Sequence, residues 1–61
     1  MREKYEKLRD KHGLTDYRVA KDTGIPYTTL REWGAGAYQP KIDKIKKLAD
    51  YFGVSLEYFL E

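Results

Sequence analysis

Between Thr15 and Trp33 the chain reads as two very short helices with only Gly24 and Ile25 between them. A glycine at such a joint can take a positive φ, so the chain can reverse sharply, and the small Ala20 lets the two helices approach. Thr15 is a natural N-cap and Asp16 suits the positive helix end, while Tyr17, Val19 and Ala20 carry the apolar face until Gly24. Pro26 fits a helix start, because its fixed φ and missing N–H cost nothing there. Tyr27 to Trp33 continues from it, with Leu30 and Trp33 three residues apart. Val19, Ile25, Leu30 and Trp33 supply the apolar contacts that hold this helix, and helical spacing then turns Tyr27, Thr28, Arg31 and Glu32 outward.

The flanking segments are also helical. From Arg2 to His12, Tyr5 and Leu8 sit among alternating charges, Gly13 stops the helix and Leu14 lies just beyond. Gly34, Ala35, Gly36 and Ala37 break the third helix, and Tyr38, Gln39 and Pro40 form a loop. Ile42, Ile45, Leu48, Ala49 and Phe52 repeat at helical steps up to Gly53, the clearest periodicity in the chain. Ser55 is placed to cap a last turn or two bearing Leu56, Phe59 and Leu60, with Glu57 in its first turn. No strand-like alternation, repeat or linker occurs. The expectation is one all-α domain over residues 1–61, a compact bundle of about five short helices.

A chain of 61 residues holds one small core, and 41% hydrophobic residues are too many for a disordered segment. With no cysteine there is no disulfide or thiolate–metal site, so packing must supply the stability. His12 stands alone, the carboxylates are scattered, and no glycine-rich phosphate loop is present, so neither a metal, a cofactor nor an enzyme is expected. No apolar run reaches the ~18 residues that a membrane span needs, and a cytoplasmic location is expected. Twelve basic against ten acidic residues give a net charge of +2, too small to identify a partner. The distribution says more: Lys41, Lys44, Lys46 and Lys47 cluster after Pro40, whereas 48–61 has no Lys or Arg. A solvated helix face is the plain reading of such a run, with Lys41 and Lys44 the candidates for phosphate contact. On the outward face, Tyr27 and Thr28 can donate hydrogen bonds and touch thymine methyls. Arg31 can pair with guanine or phosphate, and Glu32 can accept from cytosine N4.

Leu8-Arg9, Gly13-Leu14-Thr15, Val19-Ala20, Gly24-Ile25, Leu30, Trp33, Gly36, Pro40 and Leu48-Ala49 stand in one register, and Phe52-Gly53-Val54-Ser55-Leu56 with Tyr58-Phe59-Leu60 ends it. In that joint register the chain resembles the phage repressor/Cro family of helix-turn-helix regulators over nearly its whole length. The resemblance implies that Pro26 to Trp33 is the recognition helix, with Tyr27, Thr28 and Glu32 facing base edges and Arg31 beside them. It implies a phosphate-contacting region at Gly36, Ala37, Tyr38, Lys41 and Lys44, to which Thr15 at the head of the second helix is added. Double-stranded DNA is the expected partner and transcriptional repression, in a phage or prokaryotic setting, the expected role.

Three positions depart from the family pattern. Asp16 stands where many members carry a phosphate-holding glutamine, and a carboxylate there would be repelled by DNA. Gly34 stands where glutamate often pairs with the arginine matching Arg9, so Arg9 is left exposed or must find another acid. Ala35 and Ala37 replace polar loop residues, leaving amide N–H groups and nearby lysines to grip the backbone, which predicts weaker binding. The tail also holds more apolar residues than one short helix can hide. Leu56, Tyr58, Phe59 and Leu60 are therefore expected to form a weak two-fold homodimer contact, or else a junction to a further domain. A protein-interaction module of the same fold, such as an antitoxin or accessory factor, is the alternative function.

Overall fold

The computed structural model describes residues 2–61, and five α-helices occupy most of them: α1 (Arg2–Lys11), α2 (Asp16–Thr23), α3 (Tyr27–Gly34), α4 (Ile42–Phe52) and α5 (Leu56–Leu60). The all-α expectation holds. Each helix is too short to persist alone in water, so tertiary burial must supply what propensity cannot. The chain provides it by converging on one core of Tyr5, Leu8, Val19, Ala20, Ile25, Leu30, Trp33, Ile45, Leu48, Ala49, Phe52 and Phe59. The Tyr5 ring lies at its centre, stacked 5.4 Å from Trp33 and edge-on at 6.2 Å to Phe52, which joins α1 to α3 and α4.

Several positions differ from their periodicity. Tyr17 and Ile42 fall on the expected apolar stripes yet are exposed, each lying in the first turn of its helix. Gly34 does not break α3 but is its last residue, with the Arg2 guanidinium where a side chain would stand. Ser55 precedes α5 without a side-chain capping bond. Phe59 is the clearest correction: it is only 1% exposed, so it belongs to the core and cannot form a dimer contact. Leu56 and Tyr58 are half-buried against that core, and of the apolar residues of α5 it is Leu60, at 56% exposure, that faces outward. Lys4 fastens α5 to α1, donating from Nζ to the Tyr58 carbonyl at 2.7 Å while lying over the Tyr58 ring.

One polar group is buried among these side chains. The Asp16 carboxylate is 7% exposed, and its Oδ1 accepts from the Tyr5 hydroxyl at 2.6 Å and from Arg9 Nη1 at 3.0 Å. Its Oδ2 lies 3.6 Å from Arg2 Nη2 and 3.7 Å from Arg31 Nη1. Asp16 is therefore the acid that Arg9 finds in place of a glutamate at position 34. A Cβ on Gly34 would come 2.9 Å from Arg2 Nη2, so a side chain there would displace the Arg2 guanidinium from its place between Asp16 and the Leu30 carbonyl. Withdrawn beneath three arginines, the carboxylate also does not confront DNA as a bare charge.

Burial alone pushes the Asp16 carboxyl up, but the bonds from Tyr5 and Arg9 and the charges of Arg2 and Arg9 more than reverse this, holding it below its ordinary value of 3.8. A carboxyl depressed on folding contributes stability that is complete above its unfolded value and is lost as pH falls through the folded one. Acid titration followed by circular dichroism should therefore show stability falling below about pH 4. Asp16→Asn should be about 3 kcal/mol less stable at neutral pH, because it strands converging guanidiniums, and should show a flatter acid limb. In the core, Phe59→Ala should cost about 3 kcal/mol or more in urea denaturation, whereas Leu60→Ala should change stability by less than about 0.5 kcal/mol.

Candidate nucleic-acid interface

The joint between α2 and α3 is built as the sequence requires. Gly24 adopts the left-handed conformation at φ 80°, and its N–H donates to the Ala20 carbonyl at 2.9 Å, ending α2 with a single capping bond. Ile25 is buried and anchors the turn in the core, while Thr23 donates its hydroxyl to the Val19 carbonyl at 2.7 Å. Pro26 precedes α3, and its carbonyl accepts from the Thr29 and Leu30 amides at 3.0 and 3.3 Å. At the head of α2 the Thr15 hydroxyl accepts from the Arg18 amide at 3.2 Å, a bond that leaves the hydroxyl proton uncommitted.

Leu30 and Trp33 fix the inner face of α3 in the core, and Tyr27, Thr28, Arg31 and Glu32 are all exposed on the other side. Thr15, Tyr27 and Arg31 line one shallow groove together with Arg9, Asp16 and Tyr17. Gly36, Ala37 and Tyr38 line a separate one with Arg2, Trp33 and Gln39. Tyr17 adds an aromatic group that helical periodicity had assigned to the interior. Its exposed ring stands edge-to-face with that of Tyr27, centroids 6.1 Å apart, in the groove that Thr15 and Arg31 also line. No sequence spacing signals this pairing, because it depends on the angle at which two short helices cross.

The loop after α3 differs from expectation in a chemically important way. Gly36, at φ 79°, donates to the Trp33 carbonyl at 3.1 Å and Ala37 donates to the Glu32 carbonyl at 2.9 Å, while Ala35 donates to Arg31 at 3.1 Å. This double bond across a left-handed glycine is how a helix end satisfies its orphan carbonyls. The Gly36 and Ala37 amides expected to grip phosphate are thus already occupied within the protein. Tyr38, half-buried against the core, retains its own side chain, and Lys41 and Lys44 follow at the start of α4.

The charges of α4 run against its helix dipole. Lys41 occupies the N-cap position and Lys44 the first turn, offset only by Asp43, and the last turn carries no basic residue. Cations are disfavoured at that end, so helix stability does not account for their placement. On α2, by contrast, Arg18 is neutralised locally: it donates to Asp22 at 2.8 Å, and the Tyr51 hydroxyl donates to the same oxygen at 2.6 Å. The Tyr51 bond first, and then Arg18, hold the Asp22 carboxyl below its ordinary value. Among the described residues no group of His, Cys, Asp and Glu comes together to hold a metal, and no helix is long and apolar enough to cross a membrane.

A family model described as helix-turn-helix matches residues 6–59, from within α1 to within α5. No curated protein and no solved structure matches the chain. The arrangement of α2, Gly24 and α3 coincides with the motif that gives that family its name. The chain belongs to the helix-turn-helix family, in its phage repressor/Cro branch, and is a DNA-binding domain of the transcription-regulator type.

Proposed function

We propose that this domain is a sequence-specific repressor that places α3 in the major groove and binds a palindromic operator as a two-fold dimer. The observation that carries the reading is the division of α3 into an inner face anchored by Leu30 and Trp33 and an exposed face of Tyr27, Thr28, Arg31 and Glu32. The exposed groups supply hydrogen-bond donors, an acceptor carboxylate and a guanidinium, the chemistries that distinguish base edges in that groove. Thr15, Tyr38, Lys41 and Lys44 are the phosphate contacts, the last two placed where the helix dipole disfavours them. The Gly36 and Ala37 amides take no part in direct phosphate binding, since both are committed to the end of α3.

The test is selection of bound duplexes from a randomised pool, followed by anisotropy titration of the winner and a scrambled control at two salt concentrations. A specific site should be preferred by at least about a hundredfold. Arg31→Ala and Thr28→Ala should each relax preference at particular base pairs by about 1–3 kcal/mol. Lys44→Ala should weaken all duplexes alike and reduce the salt slope by about one contact. A Lys44→Ala variant that altered sequence preference alone would contradict this sorting of base and phosphate contacts. If the pool yields no enrichment, the assignment of α3 to base reading fails and a protein partner becomes the better account.

Dimerisation is assigned to the outer side of α5, through exposed Leu60 with half-buried Leu56 and Tyr58, without Phe59. Two recognition helices related by a two-fold axis would enter successive major grooves about 34 Å apart, which requires a palindromic site. Leu60→Asp should lower the dimer fraction in sedimentation equilibrium while retaining full helical circular dichroism. Retention of the wild-type association state would remove α5 from the interface.

A further inference from the structure

Three arginines approach Asp16, and they are held differently. Arg9 is 20% exposed at its side chain and also pairs with Asp10 at 3.0 Å. Arg2 is slightly more buried, pairs with Glu6 at 2.7 Å, donates to the Leu30 carbonyl at 3.0 Å and lies over the Tyr5 and Trp33 rings. Both would keep their places through other partners. Arg31 is different: its side chain is 63% exposed, and among the described residues Asp16 is the only carboxylate in ion-pair range of it.

We propose that Asp16 is a positioning residue for Arg31, drawing its guanidinium from the outer face of α3 toward the head of α2 and thereby setting which base pair it reads. This rests on the major-groove reading given above. Asp16 can serve as a fixed reference because its Oδ1 is held from α1 twice over, by Tyr5 and by Arg9, so that the Arg9 bond alone keeps Oδ2 directed at Arg31 and Arg2. The 3.7 Å separation is beyond hydrogen-bond distance, so the attraction holds the guanidinium near the head of α2 while leaving its donors free. An unrestrained arginine carries about 2 kcal/mol of side-chain rotamer entropy, and a planar fork already aligned loses less of it on meeting a guanine edge. The anchoring of α1 thus reaches the recognition face through one carboxylate.

The experiment has two arms, nitrogen relaxation of the Arg31 side chain in the free protein and selection of bound duplexes. It uses wild type, Arg31→Ala, Asp16→Asn and Tyr5→Phe, with folding of each verified by circular dichroism. Tyr5→Phe removes a different partner of Asp16 and lowers stability while leaving the Asp16 charge and Arg31 in place, so it controls for a merely structural effect. The base pair at issue is the one whose preference Arg31→Ala abolishes. Asp16→Asn should reduce preference at that same pair by about tenfold, equivalent to about 1.4 kcal/mol, and Tyr5→Phe should leave it unchanged. In wild type the Arg31 Nε–H order parameter should exceed about 0.6 and should drop in Asp16→Asn. An Arg31 already mobile in wild type overturns the proposal even if Asp16→Asn does not fold, and so does unchanged base preference in a folded Asp16→Asn. Equal loss in Tyr5→Phe overturns it too. Failure of wild type to enrich any sequence counts against the major-groove reading, and the relaxation arm still decides whether Asp16 holds Arg31.

Discussion

The Asp16 carboxylate, buried beneath Tyr5 and ringed by Arg2, Arg9 and Arg31, is the contact through which α1, α2 and α3 are held in one arrangement. Removing a carboxylate from water is costly, and here the cost is offset because both oxygens meet cations and one also accepts from a hydroxyl. No buried side-chain N or O atom among the described residues is left without a partner. Tyr5 is central to this because it serves two environments at once: its ring stacks in the core and its hydroxyl reaches the ionic cluster. Burial first, and then the bond to Asp16, push that hydroxyl above its ordinary range, so it stays a donor wherever the fold is stable.

With so few residues, the helices must also end where the core needs them to. Gly24 and Gly36 carry out two different terminations. A single capping bond at Gly24 lets Ile25 drop straight into the core just ahead of the next helix, whereas the pair of hydrogen bonds around Gly36 consumes two amides and turns the chain into a loop. The first makes the two-helix motif tight; the second removes backbone donors from the surface beyond α3. The surface beyond α3 therefore offers side chains rather than those amides, and the lysines of α4 follow within a few residues.

The fold was legible in the sequence wherever spacing and chain breaks agreed. Leu30 with Trp33, and Ile45 with Leu48, Ala49 and Phe52, lie on faces that only a helix can bring together, and the glycines marked their ends. Edges of those faces were not legible: on helices of eight or five residues, period alone does not tell whether Tyr17 or Phe59 falls under a neighbour. The outward residues Tyr27, Thr28, Arg31 and Glu32 followed from being opposite the buried pair. The partner of Arg9 did not, since Asp16 lies seven positions away across a turn and reads in sequence as a helix-end charge that DNA would repel. Its role depends on where α1 crosses α2, which no local pattern encodes. The occupied amides at Gly36 and Ala37 were hidden for a related reason: a glycine-containing loop looks the same in sequence whether its N–H groups face outward or back to the helix.

The placement of charge on α4 shows how the core leaves the surface free for other demands. A helix with lysine at its N-cap and first turn and no cation in its last turn gives up a few tenths of a kcal/mol at each end compared with the reverse arrangement. Ile45, Leu48, Ala49 and Phe52 are all buried, and burying even one such side chain contributes about 1.5–3 kcal/mol. The apolar stripe therefore outweighs the unfavourable dipole several times over, and α4 persists with its lysines at the wrong end for its own stability. The same inequality governs α3, where Leu30 and Trp33 hold the helix firmly enough for Tyr27 and Arg31 to stand exposed. In both helices the buried residues fix the element's position, and the exposed ones are then constrained only by what they meet outside.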